Sequence, residues 1–142
     1  MALYTVLIVD DEEEFRDMTA ERLTKRDLEC ESAPDGDTAL QMIAEKNYDV
    51  VLLDVKMPGR DGIETLREIK RIAPMTEVVM LTGHASVESG INGIKYGAFD
   101  YLMKPMELDP LFEKLNAAYD RKRTQQEKIE MAQIKKDMAR PS

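Results

Sequence analysis

A single cysteine, Cys30, and a single histidine, His84, stand in a chain of 142 residues. The lone thiol has no intrachain partner, which excludes a disulfide-stapled framework. One Cys with one His also cannot supply the four ligands of a structural zinc site. This cysteine usage predicts a reducing, cytoplasmic setting. Long apolar runs are missing as well: stretches such as residues 50–53 fall far short of the roughly 20 residues that span a bilayer. The first ten residues lack the basic start and long apolar core of a secretory signal, so neither export nor membrane anchoring is expected. Positive charge is in deficit, with 20 Lys and Arg against 28 Asp and Glu for a net of −8. A chain so charged repels phosphate backbones, which argues against direct nucleic-acid binding. There is no internal repeat and no low-complexity tract.

What remains, 43% apolar residues in this length, fits one globular domain. The charge is unevenly spread: residues 120–142 hold seven Lys and Arg against four acids, a net of +3, so residues 1–119 carry −11. We read residues 1–119 as a compact acidic domain and residues 120–142 as a polar, Gly-free, helix-prone extension. Its large apolar residues are only Ile129, Met131, Ile134 and Met138. No Gly or Pro interrupts the chain from Leu111 to Arg140, so the last helix is expected to run on past the domain and to pack against another subunit or lead to an output, with a solvated tail the alternative on composition. The extension is too short to build a core of its own, so the chain is either a stand-alone domain or part of a longer protein cut within a linker.

Short apolar runs alternate with helical patterns. Val6 to Val9 end at Asp10, Val50 to Leu53 end at Asp54, and Val78 to Leu81 end at Thr82. Continuous β-branched runs of this length suit strands covered on both faces. Leu28, Cys30 and Ser32 alternate with Glu29 and Glu31, as on a half-exposed edge strand, and Phe99 to Met103 offer a fifth strand before Lys104. Between the strands, Phe15, Met18 and Leu23; Ala39, Leu40, Ile43 and Ala44; Ile63, Leu66 and Ile69; Val87, Ile91 and Ile94; and Leu111, Phe112, Leu115 and Ala118 recur at helical spacing. Ser86 is placed to cap the fourth helix, with Glu88 in its first turn, and Asp109 with Pro110 reads as cap and first residue of the fifth. Gly90 and Gly93 each cost on the order of 1 kcal/mol in a helix interior, which marks the fourth helix as soft. Five β–α units in strict alternation imply a doubly wound parallel sheet, (βα)5, with helices on both faces.

Ligands of such sheets bind outside the carboxyl ends of the strands. Those ends here carry Asp10 and Asp11, then Asp54, Thr82 and Lys104. Crowded carboxylates repel, and a hard divalent cation such as Mg2+ relieves that repulsion. Carboxylates, a hydroxyl and a lysine together meet the needs of phosphoryl transfer to an aspartate: a nucleophile, neutralising cations and a hydrogen-bond donor for the equatorial oxygens. Each residue taken alone has a plainer competitor, with the cap reading of Asp10 and the surface reading of Lys104 the lesser ones, while Tyr101 as ordinary packing and His84 as a solvated surface group are stronger; the set together is far more specific.

The segments VLIVDDE (residues 6–12), VLLDVKMPGRDG (51–62), VMLTG (79–83) and GAFDYLMKP (97–105) resemble the receiver domain of bacterial two-component response regulators. The resemblance covers residues 4–119 and implies a flavodoxin-like strand order of 2-1-3-4-5. It implies that Asp54 accepts a phosphoryl group from a sensor histidine kinase or phosphotransfer protein. Asp11 would bind Mg2+, or Mn2+ in its place, with Asp10 assisting through water and the Lys56 carbonyl completing the set. Thr82 and Lys104 would read the phosphoryl group, Tyr101 would turn inward as a switch, and the Lys104–Pro105 bond would be cis. Lys56 and His84 would tune the phosphoryl lifetime. The surface of the fourth helix, fifth strand and fifth helix, or the C-terminal helix, would form a partner or homodimer contact. The only catalysis implied is of the domain's own phosphorylation and dephosphorylation. The segment from Thr82 to Pro105 looks most like receivers that stand alone or precede enhancer-binding regulators.

Two other readings stand beside it. A haloacid-dehalogenase-like phosphatase also pairs a nucleophilic Asp with Mg2+, Thr and Lys, but needs a second Asp where Lys56 stands. An interaction domain that keeps only the fold would be expected to have lost the pocket residues, all of which are here.

Overall fold

Valine, isoleucine and leucine fill both faces of the inner strands, and that forces helices onto both sides of the sheet. The structure, a computed structural model, describes residues 3–55, 61–83 and 87–139, with backbone alone for residues 87–90. Ten elements alternate: β1 (Thr5–Val9), α1 (Glu13–Thr24), β2 (Glu29–Ala33), α2 (Gly36–Glu45), β3 (Val50–Asp54), α3 (Gly62–Ile72), β4 (Glu77–Thr82), α4 (Val87–Lys95), β5 (Asp100–Met103) and α5 (Leu108–Met138). The strands form one parallel sheet in the order β2-β1-β3-β4-β5. The expected doubly wound (βα)5 architecture and strand order are therefore present.

Residues of alternating parity divide the core. Leu7, Val9, Val51, Leu53, Val78 and Met80 face Ala39, Ile43, Leu66 and Ile69 of α2 and α3. Val6, Ile8, Val50, Leu52, Val79 and Leu81 face Leu23 of α1 and Leu111, Leu115 and Ala118 of α5. Each large aliphatic residue so buried contributes roughly 1.5–3 kcal/mol of transfer free energy. Among the described residues, no helix is long and apolar enough to cross a membrane.

Several local expectations are corrected. The fifth helix begins at Leu108 with Glu107 as its N-cap, so Asp109 and Pro110 lie inside the first turn. The missing proline N–H is harmless there because first-turn amides have no helical acceptor, and Asp109 instead accepts from Arg26 at 2.7 Å. In α4 the pattern Ile91–Ile94 was expected to face the core, yet these side chains are 47% and 43% exposed. The helix turns Gly93 to the sheet: a Cβ there would stand 3.2 Å from Met80 Cγ, a contact tight enough that the Met80 side chain would have to shift. In α1, Met18 is likewise exposed and Thr19 takes the buried position beside Leu23. On the edge strand β2, Ser32 is exposed and Ala33 is buried. The Ser86 cap lies outside the described residues.

α5 is one helix of 31 residues, the long C-terminal helix expected. Two acids hold it at the sheet edge opposite the strand carboxyl ends. Asp49, just before β3, accepts from Lys122 Nζ at 2.6 Å and from the Thr5 amide at 2.9 Å and hydroxyl at 3.1 Å. Glu77, which opens β4, is buried and pairs with Arg121, with Lys70 Nζ 3.5 Å away. Contacts with the body thus continue past residue 119 to Lys122, while all described residues from Arg123 to Ala139 are exposed.

Burial pushes the Asp49 carboxyl up, but the Lys122 ammonium and the two Thr5 donors outweigh it and hold the group below its ordinary value of 3.8. A depressed carboxylate contributes stability above its unfolded pKa and loses it as pH falls through the folded one. Asp49→Asn is expected to cost about 1–3 kcal/mol at pH 7. In urea unfolding the gap between variant and parent should close below about pH 4. A gap unchanged down to pH 2 would show that the carboxylate charge plays no part.

Candidate functional site

The strand order places the chain reversal between β1 and its two neighbours, so the residues that leave β1 and β3 emerge side by side. Val9 pairs with Leu53 and Asp54 with Leu81, which brings Asp10, Asp54 and Thr82 to one sheet edge. All three are buried, Asp10 and Thr82 completely. Lys104 follows β5 and is tied to the same edge by its amide, which donates to the Thr82 carbonyl at 2.7 Å. The Lys104–Pro105 peptide bond is cis.

Lys104 is the centre of the site. Its Nζ donates to Asp10 Oδ2 at 2.6 Å, stands 3.7 Å from Asp54 Oδ2 and reaches within 4.0 Å of Glu12 Oε1. The ammonium also lies 4.4 Å from the centroid of the Phe15 ring. The other oxygen of Asp10 accepts from the Glu12 amide at 2.9 Å, and Arg16 donates to the Asp10 carbonyl at 2.8 Å. Burial pulls the Lys104 ammonium down, but the hydrogen bond to Asp10 and the charges of Asp54, Asp10 and Glu12 outweigh it, leaving its pKa above the ordinary lysine value. It is therefore a fixed positive charge throughout the physiological range.

Carboxylate oxygens of Asp10, Asp11 and Glu12 lie within 4.8 Å of one another. An all-oxygen donor set of this kind suits a hard cation such as Mg2+. A second observation points the same way. Thr82 Oγ1 is a buried side-chain atom without a hydrogen-bond partner among the described residues, and an unmade bond there costs about 1–3 kcal/mol. A buried hydroxyl left in this way, at the strand end beside that of Asp54, is a donor that an oxygen-rich group can satisfy.

Of the residues singled out in the sequence, Asp10, Asp11, Asp54, Thr82 and Lys104 gather at this edge. Tyr101 lies lower on β5, opposite Met80, half-buried against the α2–α3 side of the core. Lys56 and His84 lie outside the described residues. Four neighbours escaped the sequence reading. Glu12 sits in the acidic run itself, but charge patterning alone gives no reason to separate it from Glu13 and Glu14. Phe15 and Arg16 show their roles only once α1 is docked. Gly62 opens α3, where a Cβ would come within 2.5 Å of the Val55 carbonyl oxygen and 2.8 Å of the Asp54 carbonyl oxygen, so only glycine lets α3 start directly beneath the Asp54 backbone.

The chain matches the family model for the response regulator receiver domain over residues 6–116. It is 40% identical over 110 residues to the Regulatory protein AtoC of Escherichia coli strain K12, covering 78% of this chain and 24% of that protein. It is 36% identical over 133 residues to a putative NtrX-like response regulator of Rickettsia bellii, covering 92% and 28%. The chain thus spans about a quarter of the length of these curated relatives. Among solved structures it superposes on a receiver domain protein from Clostridium thermocellum with a TM-score of 0.83 at 35% identity, covering 86% of this chain and 98% of that one. It also superposes on NtrX from Brucella abortus, crystallised with ADP, with a TM-score of 0.87 at 34% identity, covering 92% and 30%.

The orphaned hydroxyl yields a stability prediction. Thr82→Val keeps the shape of the side chain and deletes the unsatisfied polar group, so without phosphoryl donor it is expected to raise the unfolding free energy by about 1 kcal/mol. Urea denaturation checks this. A loss of similar size would mean that the hydroxyl is satisfied in the resting protein.

Proposed function

Because this chain belongs to the response regulator receiver domain family of two-component signalling, we propose that Asp54 accepts a phosphoryl group from the phosphohistidine of a sensor kinase or phosphotransfer protein. The domain is a signalling receiver rather than a conventional enzyme. The observation that carries the reading is the trio at one sheet edge: a buried carboxylate, a fixed ammonium 3.7 Å from it and a buried hydroxyl with no partner among the described residues.

In the transfer, a carboxylate oxygen of Asp54 forms a bond to phosphorus while the bond from phosphorus to the donor nitrogen breaks and its electron pair stays on the donor. Lys104 balances the charge on the phosphoryl oxygens, and the Thr82 hydroxyl donates to one of them. Asp11 with Asp10, Asp54 and the Lys56 carbonyl would hold Mg2+, with Glu12 beside them; the ion supplies charge neutralisation that lets a dianion approach carboxylates. Thr82 moving toward the phosphoryl group would draw on the segment leading into α4, with Tyr101 turning inward behind it. The face of α4, β5 and α5 would then engage a partner or a second copy. Exposure of Ile91 and Ile94 on α4 supports this. Lys56 and His84 would set the lifetime of the phosphorylated state. The likeness to longer regulators such as AtoC and the NtrX-like protein supports reading the chain as the receiver of a regulator whose other segments carry the output, with control of transcription as its proposed outcome.

Incubation with acetyl phosphate and Mg2+ followed by intact-mass analysis is expected to add one phosphoryl group, lost on chelation and absent in Asp54→Asn. Asp11→Ala is expected to weaken Mg2+ binding by at least tenfold. Equal labelling of Asp54→Asn would move the acceptor elsewhere, and turnover of a phosphoester substrate would favour a phosphatase.

A further inference from the structure

The lysine at the centre of the site must be held against an alternative, and the structure shows both the alternative and what opposes it. Lys104 Nζ is 3.7 Å from Asp54, but Glu12 Oε1 is only 4.0 Å away, on a side chain that is 70% exposed. Glu12 stands at the rim of the pocket, where an exposed carboxylate and solvent both compete for the ammonium. Asp10 alone does not decide the matter, because one hydrogen bond at 2.6 Å fixes a distance and leaves the ammonium free to pivot about it.

The Phe15 ring restricts that pivot. Its centroid is 4.4 Å from Nζ, inside the range in which the negative face of an aromatic ring attracts a cation. Phe15 lies in the first turn of α1 and packs against the β1–β3–α5 side of the core, so the ring is a wall carried by a fixed element and not a loose surface group. An aliphatic side chain of similar bulk would fill the same space, yet it would desolvate the ammonium with nothing in return.

We propose that Phe15 is a positioning residue for Lys104: its ring face holds the ammonium in the corner between Asp10 and Asp54 and against escape to Glu12. The inference rests on the reading of Asp54 as the phosphoryl acceptor and Lys104 as its cation. It adds that the orientation of Lys104 depends on the electrons of a neighbouring ring. Phe15 touches neither Asp54 nor the incoming group in this account and acts through Lys104 alone.

Graded fluorination separates the electronic role from packing, since each fluorine weakens the ring face with little change in volume. Mono-, di- and trifluorinated phenylalanine at position 15 are expected to lower the rate of labelling by acetyl phosphate stepwise. The total loss should lie between about 2-fold and 30-fold. The Lys104 side-chain nitrogen resonance of the resting protein should shift in the same order. Phe15→Leu should fall at the far end of the series and Phe15→Trp should keep the parent behaviour. A flat series in both rate and resonance overturns the proposal and leaves Phe15 as packing. If the parent protein takes up no phosphoryl group, the reading of Asp54 fails, and the resonance series alone still decides the ring contact.

Discussion

A carboxylate with no solvent exposure exists only beside a cation, and at this site the cation is Lys104. Removing Asp10 from water costs several kcal/mol unless the charge is paired and hydrogen-bonded. The bond of 2.6 Å from Lys104 and the Glu12 amide at 2.9 Å meet that need. The same ammonium is also the nearest described positive charge to Asp54. Three carboxylates, those of Asp10, Glu12 and Asp54, therefore lie within 4.0 Å of this one ammonium in the resting protein. In the proposed reaction a phosphoryl group on Asp54 adds further negative charge and competes for that lysine. Asp10 then needs replacement charge, which is the demand that an oxygen-liganded divalent ion satisfies. In that proposal Lys104 couples the acceptor and the metal ligands to the strand β5 that carries Tyr101.

At the opposite sheet edge the chemistry is reversed. Asp49 and Glu77 are held by Lys122 and Arg121, successive residues of α5, so two adjacent strands fix the rotation of the helix where it leaves the body. Breaking such a pair strands a partly buried charge, which is why the arrangement is rigid even though its net contribution to stability is modest. The helix beyond Arg123 is polar and exposed, with Ile129, Met131, Ile134 and Met138 at its surface. A helix of that composition owes its order to its anchored base and to whatever packs against it. The receiver thus has a responsive carboxyl edge and a clamped amino edge.

Much of this was legible in residue patterns. The apolar runs that stop at Asp10, Asp54 and Thr82 are buried on both faces, so burial and strand propensity agree, and the polar residue ending each run necessarily reaches the sheet edge. The strand alternation then determines which ends meet. Patterns misled where backbone proximity outweighed side-chain periodicity. Gly93, not Ile91 or Ile94, is the α4 residue turned to Met80, in a close approach that a hydrophobic stripe gives no sign of. The start of α5 was misplaced because Asp and Pro are both favoured near helix starts and differ by only a position or two. Phe15 reads as core from its spacing, and its contact with a lysine 89 positions away in the chain is a pairing that no local pattern encodes.

The central claim is that one lysine serves Asp10 at rest and the phosphoryl group after transfer, with Thr82 supplying the waiting hydroxyl. A crystal structure determined with Mg2+ and beryllofluoride, a mimic of the acyl phosphate, tests it directly. The account predicts that Lys104 Nζ leaves Asp10 for a fluorine on Asp54 and that Thr82 Oγ1 donates to another. Lys104 still bonded to Asp10, with Thr82 Oγ1 unpartnered beside an occupied Asp54, would contradict it.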